Sequence, residues 1–241
     1  RNFEWIIISN INSFILLFTC WRVSKERKYI GVLLSFLSPV FIYGIGTSVK
    51  TKKYYDEWSK DYDKVLNQWN YNAPKSSSKI LKRFLNKNPN EILDLACGTG
   101  LFGKELKKIY PKSSIDGADI STKSLSHAKL KKVYKRLFVS DFNKNFIFKK
   151  KYNLITCIGS LTYNNNPQKL LLKVNNITKK SGFFIFSHRV DLWQKQNFDK
   201  ILSDLSNKWQ NIFISRKLLY LPKNKDFNNK IKIKIGLLKK L

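Results

Sequence analysis

The segment Glu91-Ile-Leu-Asp-Leu-Ala-Cys-Gly-Thr-Gly-Leu-Phe-Gly103 constrains the fold more than any other part of this chain. An apolar run, Ile92 to Leu95, carries one acid near its end and breaks into a loop holding Gly98 and Gly100. A helical pattern follows at once, Leu101 to Tyr110. Glycines let the backbone turn tightly and approach a ligand closely, and the helix start offers unpaired N–H groups to a negatively charged ligand group. Gly98, Gly100 and Gly103 also satisfy the dinucleotide pattern G-x-G-x-x-G, with Asp119 at about the right distance beyond. Asp94 argues against that ligand. Dinucleotide loops come off an apolar strand with pyrophosphate against the helix, and a carboxylate at the strand end repels two phosphates. It suits a ligand with an ammonium or sulfonium group.

Further acids end the strands that follow. Ser114-Ile-Asp-Gly-Ala-Asp119 is a second such strand, Asp141 follows Leu137-Phe-Val139 and precedes Phe142, and Tyr152 to Ile158 runs into Gly159-Ser160. In this series the chain resembles the class I methyltransferases, from about Tyr54 to the C-terminus. Their first motif reads here Asp94-Leu-Ala-Cys-Gly-Thr-Gly100, with Ala96 in place of the first glycine. The resemblance implies S-adenosylmethionine as cofactor, which has both cationic groups and no phosphate. It implies that Asp119 takes the two ribose hydroxyls, a task that a carboxylate can perform. It also implies that Asp141 meets the adenine amino group, with Phe142 packing on the ring. The cofactor set so expected is Asp94, Ala96, Cys97, Gly98, Thr99, Gly100, Asp119, Ile120, Asp141, Phe142, Ile158 and Gly159, with Tyr55 and Tyr62 as lid residues. Tyr54-Tyr-Asp-Glu-Trp-Ser-Lys-Asp-Tyr-Asp63, Ile115 to Ser121, Phe198 to Leu202 and Tyr220-Leu-Pro222 are similar to the Williams–Beuren-region methyltransferase-like subgroup.

From Glu91 the pattern alternates: strand 91–96, helix 101–110, strand 114–119, helix 121–132, strand 136–140, strand 152–158, helix 167–178, strand 182–187, helix 192–207. Alternation of this kind predicts an α/β fold, a Rossmann-like, mostly parallel sheet with helices on both faces. Trp209 to Ser215 and the Lys/Ile alternation of Lys230 to Ile235 add two late strands, the last antiparallel, with one solvated face. Tyr54 to Phe84 reads as helical, interrupted near Ala73-Pro74, with Tyr55, Trp58 and Tyr62 on one face. An aromatic stripe of this kind is as consistent with core as with a lid.

Ahead of it lie two apolar stretches, Trp5 to Trp21 and Tyr29 to Val49. The second is uncharged and near the length that crosses a bilayer, about 20 residues. Basic stretches follow both, Arg22 to Lys28 and Lys50 to Lys53. Two crossings would put them on opposite sides, against the positive-inside tendency. A shallow hairpin, or one crossing plus an interfacial helix, keeps both cytoplasmic. The expected organisation is an anchor over 1–49, a helical lid or linker over 50–90 and a methyltransferase domain over 91–241, the last on the cytoplasmic side of a membrane. The chain opens on Arg1 instead of Met, as a fragment would.

The formal charge of +30 invites a nucleic-acid reading. The excess is almost all Lys, spread along the chain and not clustered with aromatics, so a compositional bias explains it and nucleic acid is disfavoured as a partner. Three cysteines and two histidines, all apart, give no metal cluster.

On the acceptor side, Ser160, Thr162 and Tyr163 follow the fourth strand and His188 and Arg189 the fifth. His188 is the best candidate for a general base by its ordinary pKa, although a solvated strand-end residue accounts for it better. Asn164-Asn-Asn-Pro167 keeps only Asn-Pro of the motif found in amine-modifying relatives, which disfavours DNA adenine methylation. The expected activity is methyl transfer to a small or lipophilic acceptor at a membrane surface, with RNA methylation or a non-enzymatic cofactor-binding scaffold as rivals.

Overall fold

The computed structural model describes residues 47–146, 148–225 and 230–241. The apolar stretches at Trp5 to Trp21 and Tyr29 to Val49, with the anchor expected there, lie almost wholly outside the described residues. Among the described residues, no helix is long and apolar enough to cross a membrane.

The sheet is built outward from β1 (Glu91–Leu95), whose side chains from Ile92 onward are buried. A strand buried on both faces must be apolar throughout, which makes Asp94 the exception that needs a reason. β1 pairs in parallel with β2 (Ser114–Asp119) on one side and β4 (Tyr152–Cys157) on the other. β3 (Arg136–Val139) adds to β2 and β5 (Thr178–Arg189) to β4, again in parallel. β8 (Lys232–Lys240) inserts antiparallel to β5, and β6 (Trp209–Ile214) lies beyond it; β7 (Leu218–Leu219) also pairs with β8. The order is therefore β3-β2-β1-β4-β5-β8-β6. Between β1 and β4 the order reverses direction, and in an open parallel sheet the crevice at the strand ends there is where ligands bind.

The connecting helices are α4 (Leu101–Ile109), α5 (Thr122–Leu130) and α6 (Pro167–Ile177). Leu170, Leu171, Val174 and Ile177 of α6 recur at helical spacing and are buried against the sheet. Phe184 and Phe186 of β5 form an aromatic core block with Trp193, Phe198 and Trp209 of the elements after it, with Trp193 and Phe198 at 4.5 Å between ring centres. Truncating Trp193 to Ala there costs about 3–5 kcal/mol.

Three elements differ from expectation. The helix expected over 192–207 is two, α7 (Val190–Lys195) and α8 (Phe198–Asp204), broken where Asn197 takes φ 48°. Asn tolerates that conformation better than most residues, and the break turns Trp193 and Phe198 onto one cluster. β5 begins at Thr178, not Gly182, because Thr178 pairs with Tyr152 before a register shift, with Ser181 at φ 58° inside the irregularity. The last strand runs on to Lys240: Ile233 and Ile235 are buried in alternation with lysines, then the strand enters the middle of the sheet and is buried on both faces.

The segment before β1 folds as α1 (Ser48–Trp58), α2 (Tyr62–Gln68) and α3 (Ala73–Phe84). The aromatic stripe thus spans two helices. The chain breaks after Trp58, where the Ser59 hydroxyl donates to the Asp56 carbonyl, and again at Asn70 with φ 57°.

Candidate active site

The chain leaves β1 through three residues in the left-handed region: Ala96 at φ 56°, Gly98 at 53° and Gly100 at 88°. Glycine occupies this region freely, whereas Ala96 holds it at a cost of about 1–2 kcal/mol. The loop is fastened to β2 by Cys97, whose N–H donates to the Ala118 carbonyl at 3.0 Å. Asp119, at the end of β2, accepts from the Gly98 N–H at 2.8 Å and from the Ser121 N–H at 2.8 Å. Burial pushes the Asp119 carboxyl up to about 6 in spite of those bonds.

Asp94 is buried between β1 and β4 and accepts from the Thr156 hydroxyl at 2.6 Å and the Tyr134 hydroxyl at 2.7 Å. Burial pushes it too up to about 6, against both bonds, with nearby Asp119 adding to the rise. The Tyr134 ring fills a slot between Gly100, Gly103 and Gly117, and a methyl group on any of them would collide with it.

After β3, Asp141 accepts from the Asn143 N–H at 2.9 Å, while its other oxygen is buried without a hydrogen-bond partner. Phe142 is buried beside it. Asn143 donates to the Tyr163 carbonyl at 3.0 Å and accepts from the Asn164 side chain at 2.9 Å, which pins this loop to the one after β4.

Asp94, Gly98, Asp119, Asp141, Phe142 and Asn143 line one cavity, roofed by Ser48, Thr51 and Tyr55 of α1 and Tyr62 of α2. Tyr71, between α2 and α3, reaches over Gly159, so that a methyl group there would strike its hydroxyl. Tyr163 sits in the 3-10 turn Leu161–Tyr163, and the Tyr55 hydroxyl donates to its oxygen at 2.8 Å. Burial pushes the hydroxyls of Tyr55, Tyr62 and Tyr71 well above their ordinary value and that of Tyr163 up to about 12. None of them takes a proton near neutrality.

Of the residues expected to hold a cofactor, all but Thr99 and Gly100 line the cavity, including Ala96, Cys97, Ile120 and Ile158. Thr99 is buried with its hydroxyl turned to Asp63, and Gly100 serves the turn. His188 does not line it either. The ring is buried, Nε2 is 2.9 Å from the Gln196 side-chain oxygen, and burial holds its pKa down at about 4. Its strand end is covered by α7 and α8 instead of open to a substrate. Ser160 lines the cavity; Thr162 and Arg189 do not, and Arg189 is paired with Asp191. The sequence reading missed Ser48, Thr51, Tyr71, Pro74, Leu101, Phe102, Ser140 and Asn143. Ser48 and Thr51 were within reach, since they extend the Tyr55 face by helical spacing. Nothing local marks Tyr71.

The lining carries Asp94, Asp119 and Asp141 and no Lys, Arg or His, in a chain of formal charge +30. Two carboxyls whose charge nothing neutralises, plus an acceptor oxygen without a donor, fit a ligand that brings positive charge and hydrogen-bond donors. They do not fit a phosphate.

The family described as "Methyltransferase domain" matches residues 69–230. The malonyl-[acyl-carrier protein] O-methyltransferase of Legionella pneumophila is 26% identical over 140 residues, 56% of this chain and 48% of that protein. Human methyltransferase-like protein 27 is 27% identical, covering 62% of each chain. The demethylmenaquinone methyltransferase of Thermotoga maritima is 24% identical, over 66% of this chain and 72% of that one. The chain thus spans about half to two thirds of the first two relatives. Among solved structures, the plantazolicin methyltransferase BpumL, in complex with S-adenosylhomocysteine, shares the fold at TM-score 0.57 and 15% identity, over 89% of this chain and 99% of that one. The N-methyltransferase NodS of Bradyrhizobium japonicum shares it at 0.53 and 12%, over 69% and 86%. An uncompensated acidic cavity at the switch point of this sheet and a family match across most of the chain lead to one conclusion: the chain carries a class I S-adenosylmethionine-dependent methyltransferase domain and belongs to that family.

Proposed function

We propose that the enzyme methylates a small or lipophilic acceptor at a membrane surface, and that the acidic cavity is its donor site. The observation that carries the donor site is the lining of three carboxylates without a cation. In this reading Asp119 accepts from the ribose hydroxyls, the unpartnered oxygen of Asp141 accepts from the adenine amino group beside Phe142, and Asp94 faces the positive charge from beneath the glycine loop. When bound, S-adenosylmethionine supplies a methyl group already activated on a cationic sulfur. Tyr55, Tyr62, Tyr71 and Tyr163 roof the other side, exclude water and orient an acceptor through their hydroxyls. None of these groups removes a proton at neutral pH, so the acceptor arrives with a free lone pair, and positioning does the work.

The lipophilic acceptor is favoured by the apolar stretches within 1–49, read as an anchor ahead of the lid, and by the likeness to a demethylmenaquinone methyltransferase. The domain then lies on the cytoplasmic side. The likeness to human methyltransferase-like protein 27 supports a place in the Williams–Beuren-region subgroup. The test is label transfer: the full chain, incubated with methyl-labelled cofactor and a cell extract, should place label in the lipid phase. Label confined to water-soluble metabolites would end the lipophilic reading, and label in RNA with salt-sensitive RNA binding would replace it.

A further inference from the structure

Two carboxylates of the lid helices point away from the cavity. Asp56 of α1 accepts from the Ser121 hydroxyl at 2.7 Å and the Lys123 N–H at 3.1 Å, at the start of α5. Asp63 of α2 accepts from the Thr99 hydroxyl and from the Lys131 ammonium at 2.6 Å, and Lys131 in turn donates to the Thr99 carbonyl. Each acid grips the neighbour of a cavity residue. Ser121 gives its N–H to Asp119, and Thr99 stands between Gly98 and Gly100 in the turn. The same two helices supply Tyr55 and Tyr62 to the cavity roof. The roof and the glycine loop are therefore bonded to each other directly, through groups that no ligand would touch.

We infer that Asp63 is a positioning residue of the donor site: acting through Thr99, it holds the glycine loop in its turn and latches the α1–α2 roof shut, so that donor exchange requires the Asp63 bonds to break. The inference rests on the cavity being the donor site. It also explains why Thr99, inside the motif, is buried yet absent from the cavity lining. The Asp63 side chain is 42% exposed and that of Lys131 14%. Part of the latch is therefore screened by salt, and the part shared with Thr99 is not.

The test is the kinetics of S-adenosylhomocysteine exchange on the full chain, followed by stopped-flow tryptophan fluorescence, since Trp58 of α1 packs on Tyr62 at 4.6 Å. Asp63→Ala should raise the association and dissociation rates together, each about tenfold, the equivalent of losing one charge-assisted contact, while Kd moves less than about threefold. Thr99→Val should act in the same direction, and the double variant should be no faster than Asp63→Ala alone, because Asp63→Ala already removes the contact that Thr99→Val removes together with the Lys131 pair. Asp63→Asn keeps an acceptor for Thr99 and should exchange faster only at low salt. Unchanged rates in a folded Asp63→Ala or Thr99→Val protein would overturn the latch. So would faster dissociation with unchanged association, which marks a weakened site and not a gate. If the wild-type chain binds no S-adenosylhomocysteine, the donor-site reading fails first, an outcome distinct from failure of the latch alone.

Discussion

β2 carries two buried aspartates, three residues apart, with opposite fates. Asp116 meets Arg136 at 2.8 Å, Lys150 at 3.0 Å and the Tyr152 hydroxyl at 3.0 Å. Burial raises its pKa, but those partners outweigh it and hold the carboxyl below its ordinary value. Asp119 has only backbone N–H groups around it, and burial wins. In a chain so rich in lysine, a buried acid without a cation is conspicuous. The first aspartate is answered within the protein; the second waits for a ligand to answer it. Burial alone does not mark a site, because the completeness of the surroundings decides.

The comparison breaks most sharply by exchange. Asp119→Ala should weaken S-adenosylmethionine binding about a hundredfold or more in calorimetric titration, since two hydrogen bonds to a charged group are lost. Its thermal midpoint should hold or rise. Asp116→Ala should leave the affinity unchanged and cost about 2 kcal/mol of stability, less than a fully buried pair because Arg136 is half exposed. If the two substitutions had the same profile, the distinction would be lost.

Acidity separates the same residues. For Asp94 and Asp119 the folded pKa rises from an ordinary 3.8 to about 6, so their contribution to stability without ligand is present below about pH 4 and lost as pH rises through 6. Asp116 has the opposite sign: its contribution is present above the ordinary carboxylate value and lost as pH falls below it. A positively charged donor favours ionised Asp94 and Asp119. Its affinity should therefore fall below pH 6, about tenfold per pH unit for each carboxyl, with proton release on binding measurable in buffers of different ionisation heat.

Smaller changes sharpen the contrast. Tyr134→Phe removes a donor from Asp94, should raise that carboxyl beyond 6 and should weaken donor binding several-fold at pH 7, with recovery at higher pH. Ala96→Gly relieves a left-handed backbone and, after the entropy that glycine loses, should stabilise the protein by about 0.5–1 kcal/mol, or about 1–4 °C in the thermal midpoint.

The acidic wall of the cavity was legible in the sequence because buried parallel strands read as apolar runs, so an acid at a strand end interrupts a strong pattern. Asp94, Asp119 and Asp141 all announce themselves this way. The roof was legible only in part. Tyr55 and Tyr62 keep helical spacing, but the break after Trp58 puts them on separate helices. Tyr71 is placed by two chain breaks and a long-range approach to Gly159, which no local periodicity encodes. The burial of His188, expected to be solvated, was hidden for the same reason: its strand end is covered by α7 and α8, and the Gln196 it meets belongs to the break within an expected single helix. Lys179 to Ser181 falls between the expected helix and the expected strand, yet pairing of Thr178 with Tyr152 carries β5 back across it.

The slot around Tyr134 bears on how such glycines are to be understood. Gly100 and Gly103 are the imprint of one phenol, and Gly117 admits it together with Leu137 and Cys97; in a dinucleotide loop the glycine at the position of Gly100 instead lets the backbone approach a pyrophosphate. The phenol hydroxyl ends on Asp94. A glycine replaced in that slot thus reaches the charge of a carboxylate it never touches, with an aromatic ring as the lever. Glycines and tyrosine form a single packing unit, since a side chain added at any of the three would displace the ring.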